Sequence, residues 1–236
     1  MGRRTGEPLL DGIGILAPMA DTTPVDHPLR DLLVTASAGR FPPADLAVEV
    51  MPPPPGVADA VVAFSGHNVI AAAIDPDEVR ARLPDDDPGA PMGAEFLAWL
   101  GSQLGSTPGM VDVVLVATGD GRFGDRLHRR DDAAAHARVQ RALAYRSEVA
   151  VYSDEADGGL VILGRGLAGR LEVSIEVDPA RRGRGLGALL ARAAVALAPP
   201  DEPLFAQVSP GNVASLRAFL AAGYRPICSE VLFLRP

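Results

Sequence analysis

The chain has 236 residues, 47% hydrophobic and 22% charged, enough to bury a substantial core as one large domain or two of ordinary size. Its single cysteine excludes a disulfide scaffold and any cysteine-based zinc or iron–sulfur site, and its four histidines are scattered without metal-ligand spacing. A net charge of −8 with only 5% aromatic residues argues against a nucleic-acid partner, and all 22 basic residues are arginine, so Schiff-base, Walker A and lysine general-base chemistry are absent.

Arg3 and Arg4 ahead of Leu9 to Met19 superficially resemble a secretion signal, but Asp11, Gly12, Gly14 and Pro18 break the apolar stretch. No run approaches the roughly 18 apolar residues of a membrane span. The expected location is therefore cytoplasmic, with no membrane partner. Residues 1–30 read as an irregular arm running into a short helix over Pro28 to Ser37. Leu46 to Met51, Ala60 to Phe64 and Asn68 to Ile74 read as strands of a small sheet, the last two separated by a Gly66-His67 turn. Asp75 or Asp77 caps a helix through Leu83, and Glu95 to Leu104 has a helical apolar face.

Composition changes near Met110: the chain up to it holds 6 Arg against 15 acids, net −9, and the remainder 16 Arg against 15, net +1. Prolines divide the same way, 15 before and 7 after. Two domains are expected, a loop-rich mixed α+β accessory domain over 1–108 and a more regular one over 109–236. An anionic ligand should prefer the second.

In that second part, Val111 to Ala117 is a β-branched strand and Thr118 to Arg130 a polar connection. Asp131 or Asp132 caps a helix from Ala133 to Tyr145 with Val139 and Leu143 on its apolar face. Strands come next over Glu148 to Tyr152, Leu160 to Gly164 and Leu171 to Val177, most simply as a meander. Gly187 to Ala198 is an apolar helix, Leu204 to Val208 a strand, Asn212 to Ala222 a helix closed by Gly223, and Arg225 to Leu234 the last strand. The fold class is α/β with a mixed sheet and no internal repeat.

Two glycine clusters compete as anion sites. Gly164-x-Gly166-x-x-Gly169 has dinucleotide-fingerprint spacing but leads into the alternating strand Leu171 to Asp178, so it offers no helix N-terminus and reads as a turn. Arg181-Arg182-Gly183-Arg184-Gly185-Leu186-Gly187 lies between a strand and a long helix. There glycines admit close approach, first-turn N–H groups point outward, and Arg182 and Arg184 add permanent charge: a phosphate cradle.

The run Val177-Asp178-Pro179 into Arg182-x-x-Gly185-x-Gly187, followed by Asn212-x-x-Ser215 and Gly223-Tyr224, resembles the acetyl-CoA motifs of the GNAT acetyltransferase superfamily. The resemblance covers about residues 111–236. It implies that the diphosphate of acetyl-CoA (coenzyme A as acyl donor) is gripped by Arg182, Gly183, Arg184, Gly185, Leu186 and Gly187. It further implies that the pantetheine arm pairs with the strand carrying Ile175 and Val177, near Asn212 and Ser215, and that no metal takes part. Acyl transfer to a primary amine, on a small molecule or a protein, then proceeds by direct attack, with a backbone N–H at Val177 or a neighbour stabilising the oxyanion.

Glu172, Ser174, Glu176 and Asp178 share one face of their strand. Glu172 is the first candidate for the catalytic base, as the resemblance implies, and Glu176 the second. The family's tyrosine acid falls here on Phe219, and Tyr145 and Tyr152 have no assigned place. The enzyme reading therefore stands beside two alternatives, a non-catalytic acyl-CoA-binding regulatory module and an acyltransferase using a longer acyl-CoA. A homodimer stays open. Cys228 reads as a small core residue, and the group Arg126, Arg129 and Arg130 as a charged loop face.

Overall fold

The β-branched and apolar runs of this chain become strands that share a single sheet. The computed structural model describes residues 26–84, 86–122 and 127–235. The strands are β1 (Val48–Met51), β2 (Ala58–Phe64), β3 (His67–Ala71), β4 (Asp112–Thr118), β5 (Leu127–Arg129), β6 (Ser147–Asp154), β7 (Gly159–Arg165), β8 (Leu171–Val177), β9 (Pro203–Val208) and β10 (Arg225–Leu234). The helices are α1 (Pro28–Ser37), α2 (Pro76–Arg82), α3 (Ala94–Leu104), α4 (Ala137–Tyr145), α5 (Leu186–Leu197) and α6 (Val213–Ala221). The arm expected over residues 1–30 lies, up to residue 25, outside the described residues, as does Arg126.

Strand order is β1-β3-β2-β10-β4-β9-β8-β7-β6-β5, and only β1 with β3 and β8 with β9 run parallel. The meander expected for β6, β7 and β8 is present as two antiparallel pairings. The small sheet expected over residues 46–74 is not separate. Its strand β2 pairs antiparallel with β10 from Ser229↔Ala63 to Leu234↔Ala58, so strands from both sides of the expected 108/109 boundary share one sheet. Local alternation announces a strand but not its distant partner, which is why the join was invisible. β4 inserts between β10 and β9, antiparallel to both.

Side-chain parity assigns the helices to two layers. Leu163, Leu171, Val173 and Ile175 point at Leu190, Ala191 and Ala194 of α5 and at Phe219 of α6. α3 extends that layer, with Leu97 and Leu100 over Val61, Val231 and Phe233. On the other face α1 places Leu29 and Leu33 over Ala60, Val62, Val114 and Phe205, and α4 places Val139 and Ala142 over Val151 and Ile162. At 12 residues α5 is too short to persist alone. Each large apolar side chain it buries contributes roughly 1.5–3 kcal/mol, so packing on the sheet holds it.

Two details differ from expectation. The helix expected over residues 133–145 is a 3-10 turn, Ala133–Ala135, followed by α4, and His136 rather than Asp131 or Asp132 caps it by accepting from the Arg138 amide at 3.2 Å. The two aspartates are engaged by Arg129 and Arg130, at 2.9 and 2.7 Å, and Leu143 is half exposed. The connection expected over 118–130 also contains β5, which closes the sheet edge against β6.

Candidate active site

β8 and β9 pair only at Leu171↔Leu204 and Glu172↔Phe205, and then diverge. The Asp178 amide donates to Gly158 O at 2.9 Å and the Arg170 carbonyl accepts from Gly166 N at 3.0 Å. Residues of that parity therefore direct their main-chain groups toward β7. The main-chain groups of Val173, Ile175 and Val177 point the other way: the Val173 N–H completes the pairing of Glu172 with Phe205, and the Val173 C=O and the groups of Ile175 and Val177 face the opening left by β9. The Val177 carbonyl accepts from Arg182 Nε at 3.1 Å, tying the strand end to the loop beyond it.

That loop leaves β8 through a 3-10 turn, Pro179–Arg181, in which the Asp178 carboxylate accepts from Ala180 N at 2.7 Å. Gly183 and Gly185 then adopt φ of +73° and +81°, values that a β-carbon penalises, and Gly185 starts α5 without a side-chain cap. From Gly183 to Gly187 no amide has a protein acceptor among the described residues. Arg182, Gly183, Arg184 and Gly185 are exposed, and Leu186 and Gly187 half-buried. The arrangement is a set of free donors at the positive end of a helix dipole, between two guanidiniums.

A cavity of about 340 Å³ passes through the opening between β8 and β9. Ile175, Asn212, Ser215 and Phe219 line it on the α5–α6 side, and Asn212 caps α6 by accepting from Ser215 N at 3.2 Å. On the opposite side it meets Asp112, Arg138, Arg141, Tyr145, Arg146, Ser174 and Gln207. A larger cavity, about 640 Å³, lies near the paired end of the two strands and shares only Tyr145 and Arg146 with the first. The smaller one contains the free strand edge and is the candidate site.

Arg146 braces the opening. Its guanidinium donates to Glu172 Oε2 at 2.8 Å, to Ser174 Oγ on β8 at 2.9 Å and to Gln207 Oε1 on β9 at 3.3 Å. Glu172 is 3% exposed, not on a solvated face. Its other oxygen accepts from Arg170 Nε at 2.8 Å and Leu167 N at 3.2 Å, and Arg170 continues to Glu230 at 2.7 Å. Burial alone would raise the Glu172 carboxyl, but Arg170 and Arg146 outweigh it and hold it below its ordinary value. A proton arriving there would displace a guanidinium. Glu176 is half-buried, 4.0 Å from His136 Nε2, and outside the cavity lining.

Asp112, on the cavity, is raised above the ordinary aspartate range. It sits directly across from Glu230 in the β4–β10 pairing. Burial and then the Glu230 charge push its carboxyl up to about 6, against the pull of Arg141. Among the tyrosines, Tyr224 donates to Ala191 O at 3.2 Å in the core and Tyr152 is buried, which leaves Tyr145 as the phenol on the cavity. Cys228 is half-buried in β10, and burial raises its thiol further from the thiolate.

Sequence reasoning singled out none of Asp112, Arg138, Arg141, Arg146 and Gln207. The spacing i, i+3, i+7 of Arg138, Arg141 and Tyr145 was a usable signal, because it puts them along one helix flank. Asp112 carries no local signal, since its neighbour Glu230 is far along the chain. Among the described residues no cluster of three metal-ligating side chains occurs, and no helix is long and apolar enough to cross a membrane.

Residues 131–224 match the family model described as the acetyltransferase (GNAT) family. No curated protein matches the chain. Among solved structures, a protein from Novosphingobium aromaticivorans assigned to the GNAT family of acetyltransferases is 21% identical over 56% of this chain and 67% of its own, with a TM-score of 0.39. A GCN5-related N-acetyltransferase from Kribbella flavida is 19% identical over 59% of this chain and 63% of its own, with a TM-score of 0.38. The chain thus spans about two-thirds of the length of each.

Proposed function

On the premise that residues 131–224 are a domain of the GNAT acetyltransferase family, we propose that the protein transfers an acetyl group from acetyl-CoA to a primary amine by direct attack. One observation carries the reading: the unpaired amides from Gly183 to Gly187 at the start of α5, beside Arg182 and Arg184. Such donors suit a diphosphate, and guanidinium charge persists at every working pH. Bound there, acetyl-CoA supplies an activated thioester. The free C=O of Val173 and the main-chain groups of Ile175 hold its pantetheine arm, and an N–H of the same strand edge polarises the carbonyl.

The amine enters from the α4 side of the opening. Its ammonium loses one proton, its nitrogen bonds to the acyl carbon and sheds a second proton as the C–S bond breaks, and the departing sulfur takes up a proton. Tyr145 is our candidate donor for that last step. Glu172 acts in this reading through Arg146, which keeps β8 and β9 apart, and not as the proton acceptor. Acceleration comes from positioning, so no covalent enzyme intermediate is required.

A second reading, binding of acyl-CoA without transfer, is favoured by the engagement of both Glu172 oxygens and by Phe219 standing where the family tyrosine is expected. Calorimetric titration with acetyl-CoA should give saturable binding at one site per chain, and its absence overturns both readings. Free-thiol release on a panel of primary amines distinguishes them. Turnover supports transfer, and binding with no release on any amine supports the second.

A further inference from the structure

The candidate cavity is charged in a way that acetyl transfer to an arbitrary amine does not require. Its α4 wall carries three arginines within nine positions: Arg138, Arg141 and Arg146. Arg146 is satisfied by Glu172, Ser174 and Gln207. Arg138 and Arg141 have no carboxylate within salt-bridge distance among the described residues. Arg138 Nε is fully buried without an acceptor. Leaving a buried donor unpaired is destabilising, and here the donor is cationic and stands among like charges. Burial lowers the Arg138 pKa, the pull of Glu176 opposes that, and Arg141 and Arg146 lower it further.

Of the two acids lining the cavity, Glu172 is held by Arg146 and Arg170, which leaves Asp112. The Asp112 carboxylate makes no hydrogen bond among the described residues; Glu230, across from it in the sheet, repels its charge and Arg141 attracts it. The cavity therefore offers on its α4 side one carboxylate without a hydrogen bond and two guanidiniums without a carboxylate, Arg138 half-buried and Arg141 exposed, its charge 5.8 Å from the centre of the Tyr145 ring. A polyamine or bare alkylamine would satisfy only the carboxylate. A purely anionic ligand would repel it.

We propose that the acceptor is a zwitterion of the α-amino acid class, with its carboxylate on Arg138 and Arg141 and its ammonium on Asp112. The inference rests on the acetyl-transfer reading above. A guanidinium recognises a carboxylate through paired N–H donors, which fixes the acceptor's orientation as well as its charge. The ammonium passes one proton to Asp112, which accepts it as a carboxylate, and the freed nitrogen lone pair faces the opening. The product is an N-acetyl amino acid, neutral at nitrogen and still anionic at its carboxylate.

The test uses the full chain loaded with coenzyme A and a panel of N-acetyl-L-amino acids with small, aliphatic and aromatic side chains, each beside its neutral N-acetyl amino amide. At least one acid should bind saturably and at least tenfold more tightly than its amide. R138Q and R141Q should each remove most of that preference with coenzyme A affinity unchanged, and neither should melt below the parent. In thiol release, an L-amino acid should outrun its decarboxylated amine, and R138Q should raise KM for the acid only. Equal affinity for acid and amide, no effect of either variant, or no binding of any panel member overturns the inference while leaving acetyl-CoA binding intact. Failure to bind coenzyme A itself overturns the underlying reading instead.

Discussion

The two glycine-rich loops flanking β8 share composition and charge, yet their main-chain donors meet opposite fates. Before the strand, Gly166 N bonds to Arg170 O at 3.0 Å, Gly169 N to Gly166 O at 2.9 Å, and Leu167 N to the Glu172 carboxylate at 3.2 Å. After the strand, the amides of residues 183–187 find no protein acceptor among the described residues. The arginines divide likewise: Arg170 is buried between Glu172 and Glu230, and Arg182 and Arg184 are exposed. The difference lies in the element that each loop leads into. A strand consumes amides in pairing, whereas the first turn of a helix leaves them free. Glycine spacing marks where the chain can bend closely, and the next element decides whether that bend can hold an anion.

The largest effect is expected where the first loop's arginine is removed. R170A would leave Glu230 buried without a counter-ion and Glu172 with Arg146 alone, which costs about 3–5 kcal/mol, so thermal unfolding should shift down by roughly 10 °C. A shift under about 2 °C would show that this network does not hold the loop. G166A comes next. An added β-carbon there would overlap the Glu172 carboxylate, an overpacking that costs roughly 1–3 kcal/mol and is read in the same melt.

In the second loop the same kind of change should spare the fold and reach the ligand. G185V forces a β-branched residue to φ near +81°, a strain of about 1–3 kcal/mol. Acetyl-CoA affinity measured by calorimetry should fall about tenfold or more, with a smaller Tm change than R170A produces. R182Q and R184Q should each weaken binding a few-fold, and the loss should shrink as salt rises, because both side chains are exposed. Salt-independent losses would mean that the charges act on protein rather than on ligand.

Much of the second half was legible because its signals are local. Alternation placed β8 at Leu171–Val177, Asn212 marked the start of α6 through its side-chain oxygen, and Gly223, at φ +94°, marked its end. The contrast between the two loops was legible too, since strand and helix periods differ immediately after each. Non-local facts were not. Alternation put Glu172 on the face opposite Leu171 but could not say that α4 lays Arg146 across it. Composition separated residues 1–108 from the remainder, yet β2 joins β10 through a pairing that no local pattern encodes. The charge difference between the halves likewise could not say that the arginines lining the cavity come from α4 and its C-cap, Arg146.

The acids near the site repeat the contrast between the loops, and pH gives the gentlest way to probe it. Glu172, beside the spent loop, is held below its ordinary value despite burial, because Arg170 and Arg146 outweigh the cost of desolvation. Its contribution to stability is present above the unfolded pKa and is lost as pH falls through the lower folded value. Asp112, on the open cavity, is raised to about 6 by burial and by Glu230. There the unfolded chain releases its proton first, so stability falls as pH rises from the ordinary aspartate range toward 6 and then levels off. D112N should remove that second trend, melting a few degrees above the parent at pH 7.5 while matching it more closely near pH 4. Asn cannot take up a proton, so thiol release at pH 7.5 should fall in D112N as the melt rises. A variant that loses stability at pH 7.5 would instead make the Asp112 carboxylate a satisfied structural group, and the two sides of β8 would no longer differ in how they treat charge.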